Sequence, residues 1–175
     1  MDVVEFHKKH TSLKLIVGML IGYTVFPILL LPMITQHSPF DLMFYYSPST
    51  MLEHMSKMSE HDRIQYAIGL CTIDVLYPIY YCTLAAMTLA FLLQNTNLPS
   101  DIILIVYFIG IVDLLENIAI VTSLLTYPHS PMYAMYAAGL FTASKWILFS
   151  IIGAFILYLI FLRKEKTHVQ EESEK

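Results

Sequence analysis

Four stretches of this chain are apolar almost without interruption, at residues 15–35, 66–94, 102–126 and 132–162. A hydrocarbon layer about 30 Å thick takes about 20 helical residues to cross, so each stretch predicts a membrane-spanning helix. None carries the polar stripe that a surface helix of a soluble bundle needs. The second and fourth are long enough to tilt or to project beyond the bilayer. Two short polar turns, Asn95 to Ser100 (NTNLPS) and Tyr127 to Pro131 (YPHSP), separate the later stretches and force antiparallel neighbours. The connection over residues 36–65 is longer. Its second half, SPSTMLEHMSKMSEHDRIQY, sets Met51, Leu52, Met55 and Met58 at helical spacing behind Ser49 or Thr50 as N-cap. That pattern predicts a short amphipathic helix in the outer loop, lying on the membrane surface or capping the bundle. The whole predicts an all-α membrane four-helix bundle, one domain over residues 1–162, with a disordered tail at 163–175 that has no apolar pattern.

Composition narrows the class. Hydrophobic side chains make up 57% of the 175 residues and charged ones 14%, well below the roughly 25% of a soluble domain. With ten Lys and Arg against fourteen Asp and Glu, the net charge of −4 offers no basic footprint for nucleic acid. The partners this composition admits are membrane lipids, a hydrophobic small-molecule substrate and a second copy of the chain. Lys8, Lys9 and Lys14 precede a first stretch too long for a signal-peptide core, with no A-x-A site after it, so it is expected to be retained. Arg163, Lys164 and Lys166 follow the last stretch, whereas only Lys57 and Arg63 lie on the opposite side. The positive-inside rule then places both termini in the cytoplasm, with the chain in a plasma or inner membrane.

Against this apolar background four ionisable residues fall inside the spans: Asp74, Asp113, Glu116 and Lys145. Each costs about 2.5–3.5 kcal/mol on insertion scales, so such residues face the bundle interior and find partners. Counted from the outer span ends they lie eight to thirteen residues in, roughly 12 to 20 Å deep at 1.5 Å per residue. Three helices therefore bring charge to one level near the membrane centre. Helical phase groups them further. Asp113, Glu116 and Asn117 share a face, as do Asp74, Tyr77, Pro78 and Tyr81, and Thr142, Lys145, Trp146 and Phe149, while Tyr23 and Thr24 reach a similar depth. The expected result is a polar pocket of Asp74, Asp113, Glu116, Asn117 and Lys145 walled by tyrosines. Pro78, within a span, takes one donor from the helix ladder and frees a carbonyl for polar neighbours.

Such a pocket admits three functions. Paired carboxylates suit general acid and base catalysis on a lipid or other hydrophobic substrate. In that reading Asp113 or Glu116 is the acid/base pair, Asp74 the second carboxylate and Lys145 the electrostatic stabiliser. Midplane carboxylates also serve proton- or cation-coupled transport, although four helices make a thin transporter. Polar groups that merely hold the helices together would make the chain a structural or accessory subunit. Three carboxylates for one ammonium are excessive for that last task.

Other chemistry is disfavoured. All seven histidines lie outside the spans and no H-E-x-x-H occurs, so neither haem nor any other cofactor is expected, and no metal. His54 and His61, with Glu53 and Asp62 nearby, read as a solvated face. Cys71 and Cys82 stand eleven apart on one helix, about 16 Å along it, beyond disulfide reach. No P-loop, G-x-G-x-x-G or G-x-S-x-G is present.

The segments Asp41 to Pro48 (DLMFYYSP), Asp74 to Pro78 (DVLYP), Asp113 to Asn117 (DLLEN) and Lys145-Trp146 resemble a group of small four-span membrane proteins, mainly microbial, to which no activity is attached. The resemblance implies that Asp41, Tyr46 and Pro48 belong with the pocket.

Overall fold

The computed structural model describes residues 3–34, 39–94, 96 and 98–173, which are mostly helical, with no strand among them. The helices are α1 (Val3–His10), α2 (Leu13–Ile34), α3 (Pro48–Ser56), α4 (Glu60–Cys71), α5 (Ile73–Leu93), α6 (Ile102–Leu125) and α7 (Met132–Ser173), with a 3-10 turn at Phe40–Leu42. Three stretches among the described residues are long and apolar enough to cross a membrane: Glu60–Leu93, which joins α4 to α5, Ile102–Leu125 and Met132–Arg163. Large apolar side chains such as Ile28, Ile118, Leu140 and Phe161 point outward, a surface suited to lipid rather than water.

The second stretch departs from the unbroken 66–94 helix that its sequence predicts. It starts earlier, at Glu60, because a capping box closes its first turn. Ser59 Oγ accepts the Asp62 amide at 3.2 Å and Asp62 Oδ2 accepts the Ser59 amide at 3.1 Å. It then breaks at Thr72, whose φ of −121° and ψ of −80° lie off the helix. The Thr72 hydroxyl turns back to donate to the Ile68 carbonyl at 2.6 Å, the kind of bond that bends helices.

In the connection before it, α3 is capped by Ser47, two residues ahead of the nearer expected cap. Ser47 Oγ accepts the Thr50 amide at 3.2 Å, and Pro48 occupies the first helical position, where its fixed φ favours the start. Met51, Met55 and Met58 are buried in one cluster with Phe40, Tyr66, Ile120 and Met135. These side chains hold α3 against the neighbouring helices. At the far end α7 runs on to Ser173, where the composition of residues 163–175 led us to expect no regular structure. A helix already nucleated extends into further residues without a second nucleation cost.

α6 packs against α4, α5 and α7, and α2 packs against α5. α1 is tied to α6 by a hydrogen bond between His7 Nε2 and the Tyr107 hydroxyl. The connection ahead of α3 is pinned to α7 at two points. Trp146 Nε1 donates to the Met43 carbonyl at 2.9 Å, and the Tyr46 backbone crosses α7 at Gly139. A Cβ built on Gly139 would stand 2.2 Å from the Tyr46 carbonyl oxygen, a backbone atom that a rotamer change cannot move. Gly139→Ala should therefore destabilise the protein by about 1–3 kcal/mol. Gly153→Ala on the same helix, where the new Cβ meets nothing within 4 Å, should be neutral or stabilising by up to about 1 kcal/mol. Thermal unfolding of both variants in the same detergent checks the pair, and equal behaviour would remove the close approach from the account.

Candidate functional site

Three charged residues of α6 and α7, Asp113, Glu116 and Lys145, form one buried cluster. The sequence spacing puts Asp113, Glu116 and Asn117 on one face of α6, and all three are buried, at 4%, 0% and 4% exposure. Across from them α7 presents Lys145, 5% exposed. Its ammonium donates to Asp113 Oδ1 at 2.7 Å and pairs with Glu116 Oε2 at 2.5 Å. The Thr142 hydroxyl, one turn earlier on α7, donates to Glu116 Oε1 at 2.6 Å. Tyr81 of α5 donates its hydroxyl to Asp113 Oδ2 at 2.8 Å. Both oxygens of each carboxylate thus carry a partner, and α6 is cross-linked to its neighbours on both sides.

Asp74 joins from α5 through a neutral group. Asn117 Nδ2 donates to Asp74 Oδ2 at 2.8 Å. Asp74 stands in the second residue of α5, directly after the break at Thr72, and Pro78 four residues on has no N–H to give to the Asp74 carbonyl. Aspartate near a helix start is favoured by the backbone dipoles there.

Beside this cluster lies a cavity of about 310 Å³, within the range of about 300–1,000 Å³ usual for small-molecule sites. Asp74, Asp113 and Lys145 supply its polar wall. The rings of Tyr23, Tyr77, Tyr81, Trp146 and Phe149 supply most of the rest, with Pro27 of α2 and Leu42 of the 3-10 turn. The rings interlock: Tyr23 stacks on Tyr77 at 5.7 Å, Tyr77 meets Tyr81 edge-on at 5.5 Å, and Tyr81 tilts onto Phe149 at 4.8 Å.

Of the residues expected in the pocket, Asp74, Asp113, Lys145, Tyr23, Tyr77, Tyr81 and Trp146 line this cavity. Glu116 and Asn117 stand behind it, each bonded to a residue that does. Thr24 does not take part: its hydroxyl is exposed and donates to the Ile21 carbonyl. Tyr46 packs instead against Phe40 at a ring distance of 5.1 Å, in the methionine-rich cluster under α3, with Pro48 buried at the start of that helix. The side chain of Asp41 falls outside the described residues. Sequence reasoning passed over Pro27 and Leu42, since apolar residues in apolar segments carry no signal of facing a cavity. It also passed over Thr72, which has no Gly or Pro beside it to announce a break.

The cluster makes a quantitative expectation. Lys145→Met leaves Asp113 and Glu116 facing each other without their cation, and breaking a buried pair from one side costs about 3–5 kcal/mol. Adding Glu116→Gln to Lys145→Met removes one of the stranded charges, so the double variant should be more stable than Lys145→Met alone. Reversible unfolding in mixed micelles measures both. A double variant no more stable than the single one would mean that the two side chains are not coupled.

No protein-family model, no curated protein and no solved structure matches this chain.

Proposed function

We propose that the chain is a four-span membrane protein with both termini cytoplasmic, and that its intramembrane cavity is the active site of an enzyme acting on a lipid or other hydrophobic substrate. α2 is the fourth span in this reading: its 22 residues reach about 33 Å as a helix. The lysines and arginines at 8, 9, 14, 163, 164 and 166 set the orientation, which leaves α3 in the outer loop as a cap. The observation that carries the enzymatic reading is the hydrogen-bonded series Glu116–Lys145–Asp113–Tyr81, three of whose members face the cavity.

Within that series the roles divide by position. Asp113 faces the cavity and exchanges a proton with the substrate as acid/base catalyst. Lys145 stabilises negative charge that develops on the substrate in a site removed from water. Glu116, which touches Lys145 and Thr142 but not the cavity, is a positioning residue that keeps the ammonium aimed. Asp74, which also lines the cavity, is the second carboxylate. A proton- or cation-coupled transporter is the second reading. It is favoured by the break at Thr72 next to Asp74, since interrupted helices at mid-membrane depth line transport sites.

Asp113→Asn should lower turnover by about 10²–10⁴-fold, and Tyr81→Phe by about tenfold, with both variants folded. The measurement is the change in composition of a total lipid extract incubated with the purified protein in nanodiscs, followed by mass spectrometry. Wild-type turnover by folded Asp113→Asn overturns the catalytic assignment. Proton flux into liposomes with no change in lipid composition would establish the transporter instead.

A further inference from the structure

The walls of the cavity differ in burial, and the difference shows where it opens. Tyr81, Asp113 and Lys145 are buried, whereas Tyr23 and Pro27 of α2 and Trp146 and Phe149 of α7 are half-buried. Leu42, also in the wall, is 62% exposed. α2 packs against α4 and α5, which puts the mouth along the seam between α2 and α7. Along the bundle axis the space is filled on both sides. Tyr66, Ile120 and Met135 are packed into one core toward α3, and Cys82, Ile109 and Ile152 into another away from it. The way in is from the side, through a surface of exposed apolar residues.

Depth and volume then limit what can enter. Asp113 is the twelfth of the 24 residues of α6, so a group that reaches it lies near the middle of the hydrocarbon layer. Backbone geometry marks the same level. Trp146 holds the Met43 carbonyl, and the Tyr46 carbonyl meets Gly139 seven residues away on α7, about 10 Å along the helix. The chain between Met43 and Ser47 spans that distance without forming a helix, and in a membrane such backbone occurs where it is buried in protein or lines a cavity. An ionised headgroup is costly at this depth. A cavity of about 310 Å³ takes about ten heavy atoms at roughly 30 Å³ each, the end of one chain rather than a two-chain phospholipid. Asp113 selects the polar group on that end. Its two oxygens have about four acceptor positions, and Lys145 and Tyr81 each take one. Acceptor capacity is left on a carboxylate that lines the cavity, and it suits an uncharged donor. We propose that the cavity takes the hydroxyl end of a long-chain alcohol, drawn from the hydrocarbon layer between α2 and α7. The hydroxyl donates to Asp113, and the chain leaves past Pro27 and Leu42 into the bilayer. This rests on the cavity being the substrate site, and it sets an exchangeable proton against the carboxylate assigned to acid/base chemistry.

Trp146 reports on the mouth, because it is the single tryptophan of the chain and lines the cavity. The full-length protein is placed in phosphatidylcholine nanodiscs brominated either at mid-chain or beside the glycerol, and tryptophan fluorescence is followed. Mid-chain bromine should quench more strongly, and dodecanol should relieve that quenching saturably as it displaces lipid from the mouth. Dodecyl methyl ether, which matches the chain but has no donor, and dodecanoate, which brings a second anion, should bind at least tenfold more weakly per lipid, the scale of a hydrogen bond to a charged group. Asp113→Asn should weaken dodecanol about tenfold and leave the ether unchanged, a selectivity that a folding defect would not produce. The comparison of alcohol with ether in the wild type decides the matter even where that variant fails to fold. Ether binding equal to that of dodecanol, or quenching strongest beside the glycerol, overturns the proposal. If the alcohol preference fails while folded Asp113→Asn still loses lipid turnover, the enzyme stands and only its ligand class is lost. Hydroxyl-dependent binding without any lipid turnover sustains the alcohol site and removes the enzyme.

Discussion

Inside a bundle with apolar outer faces, the Lys145 ammonium needs oxygen acceptors from neighbouring helices, and α6 supplies two of them. That requirement propagates. To meet Lys145, α6 must turn the Asp113–Glu116–Asn117 face toward α7, and the remaining oxygens and amide on that face must then be satisfied by Tyr81, Thr142 and Asp74. Each partner fixes the rotation of the helix that carries it. Apolar packing alone tolerates many rotations of one smooth helix about another, because lipid tails are as apolar as leucine. Here the polar contacts choose one.

The consequence is visible in how the rest of the molecule is arranged around this level. On one side of it Met51 and Met55 of α3 and Met58 just beyond it pack with Tyr66 and α6. On the other, Leu89, Ala90 and Ile103 form a second apolar cluster with the far part of α7. Small residues allow the close approaches, most plainly Gly139 under the Tyr46 backbone. The connection ahead of α3 is thereby held over the cavity, with Leu42 in its wall and the Met43 carbonyl on Trp146. The same tryptophan that closes the cavity also anchors its cover.

Much of this was legible in the sequence, and the physical reason is that membrane helices leave few polar residues to choose among. Depth counting brought Asp74, Asp113, Glu116 and Lys145 to one level, and helical phase grouped Asp74 with Tyr77 and Tyr81, and Lys145 with Trp146 and Phe149, all of which line the cavity except Glu116. What periodicity cannot give is rotation between helices. It therefore left open which carboxylate Lys145 would take, and the answer is both. The break at Thr72 was illegible for a different reason: the apolar run continues through residues 68–75 (IGLCTIDV), and the turn depends on a hydroxyl bonding backward. Tyr46 was misplaced with the pocket because likeness of a segment says nothing about which of its side chains point inward.

Asp113 and Glu116 share a cation yet stand in different surroundings, and that difference bears on whether the cluster is functional or structural. Glu116 is fully buried, with Thr142 and Lys145 as partners and no wall on the cavity. Asp113 has equivalent partners, but its carboxylate is part of the cavity wall. A network built only to hold helices together gains nothing from placing one of its charges beside 310 Å³ of space, where the loss of packed neighbours weakens rather than strengthens the bundle. The helix break and Pro78 point the same way, since both sit on the segment that carries Asp74 and both sacrifice helical hydrogen bonds. Costs concentrated at one level, on the residues that face one cavity, support the functional reading proposed for the cluster.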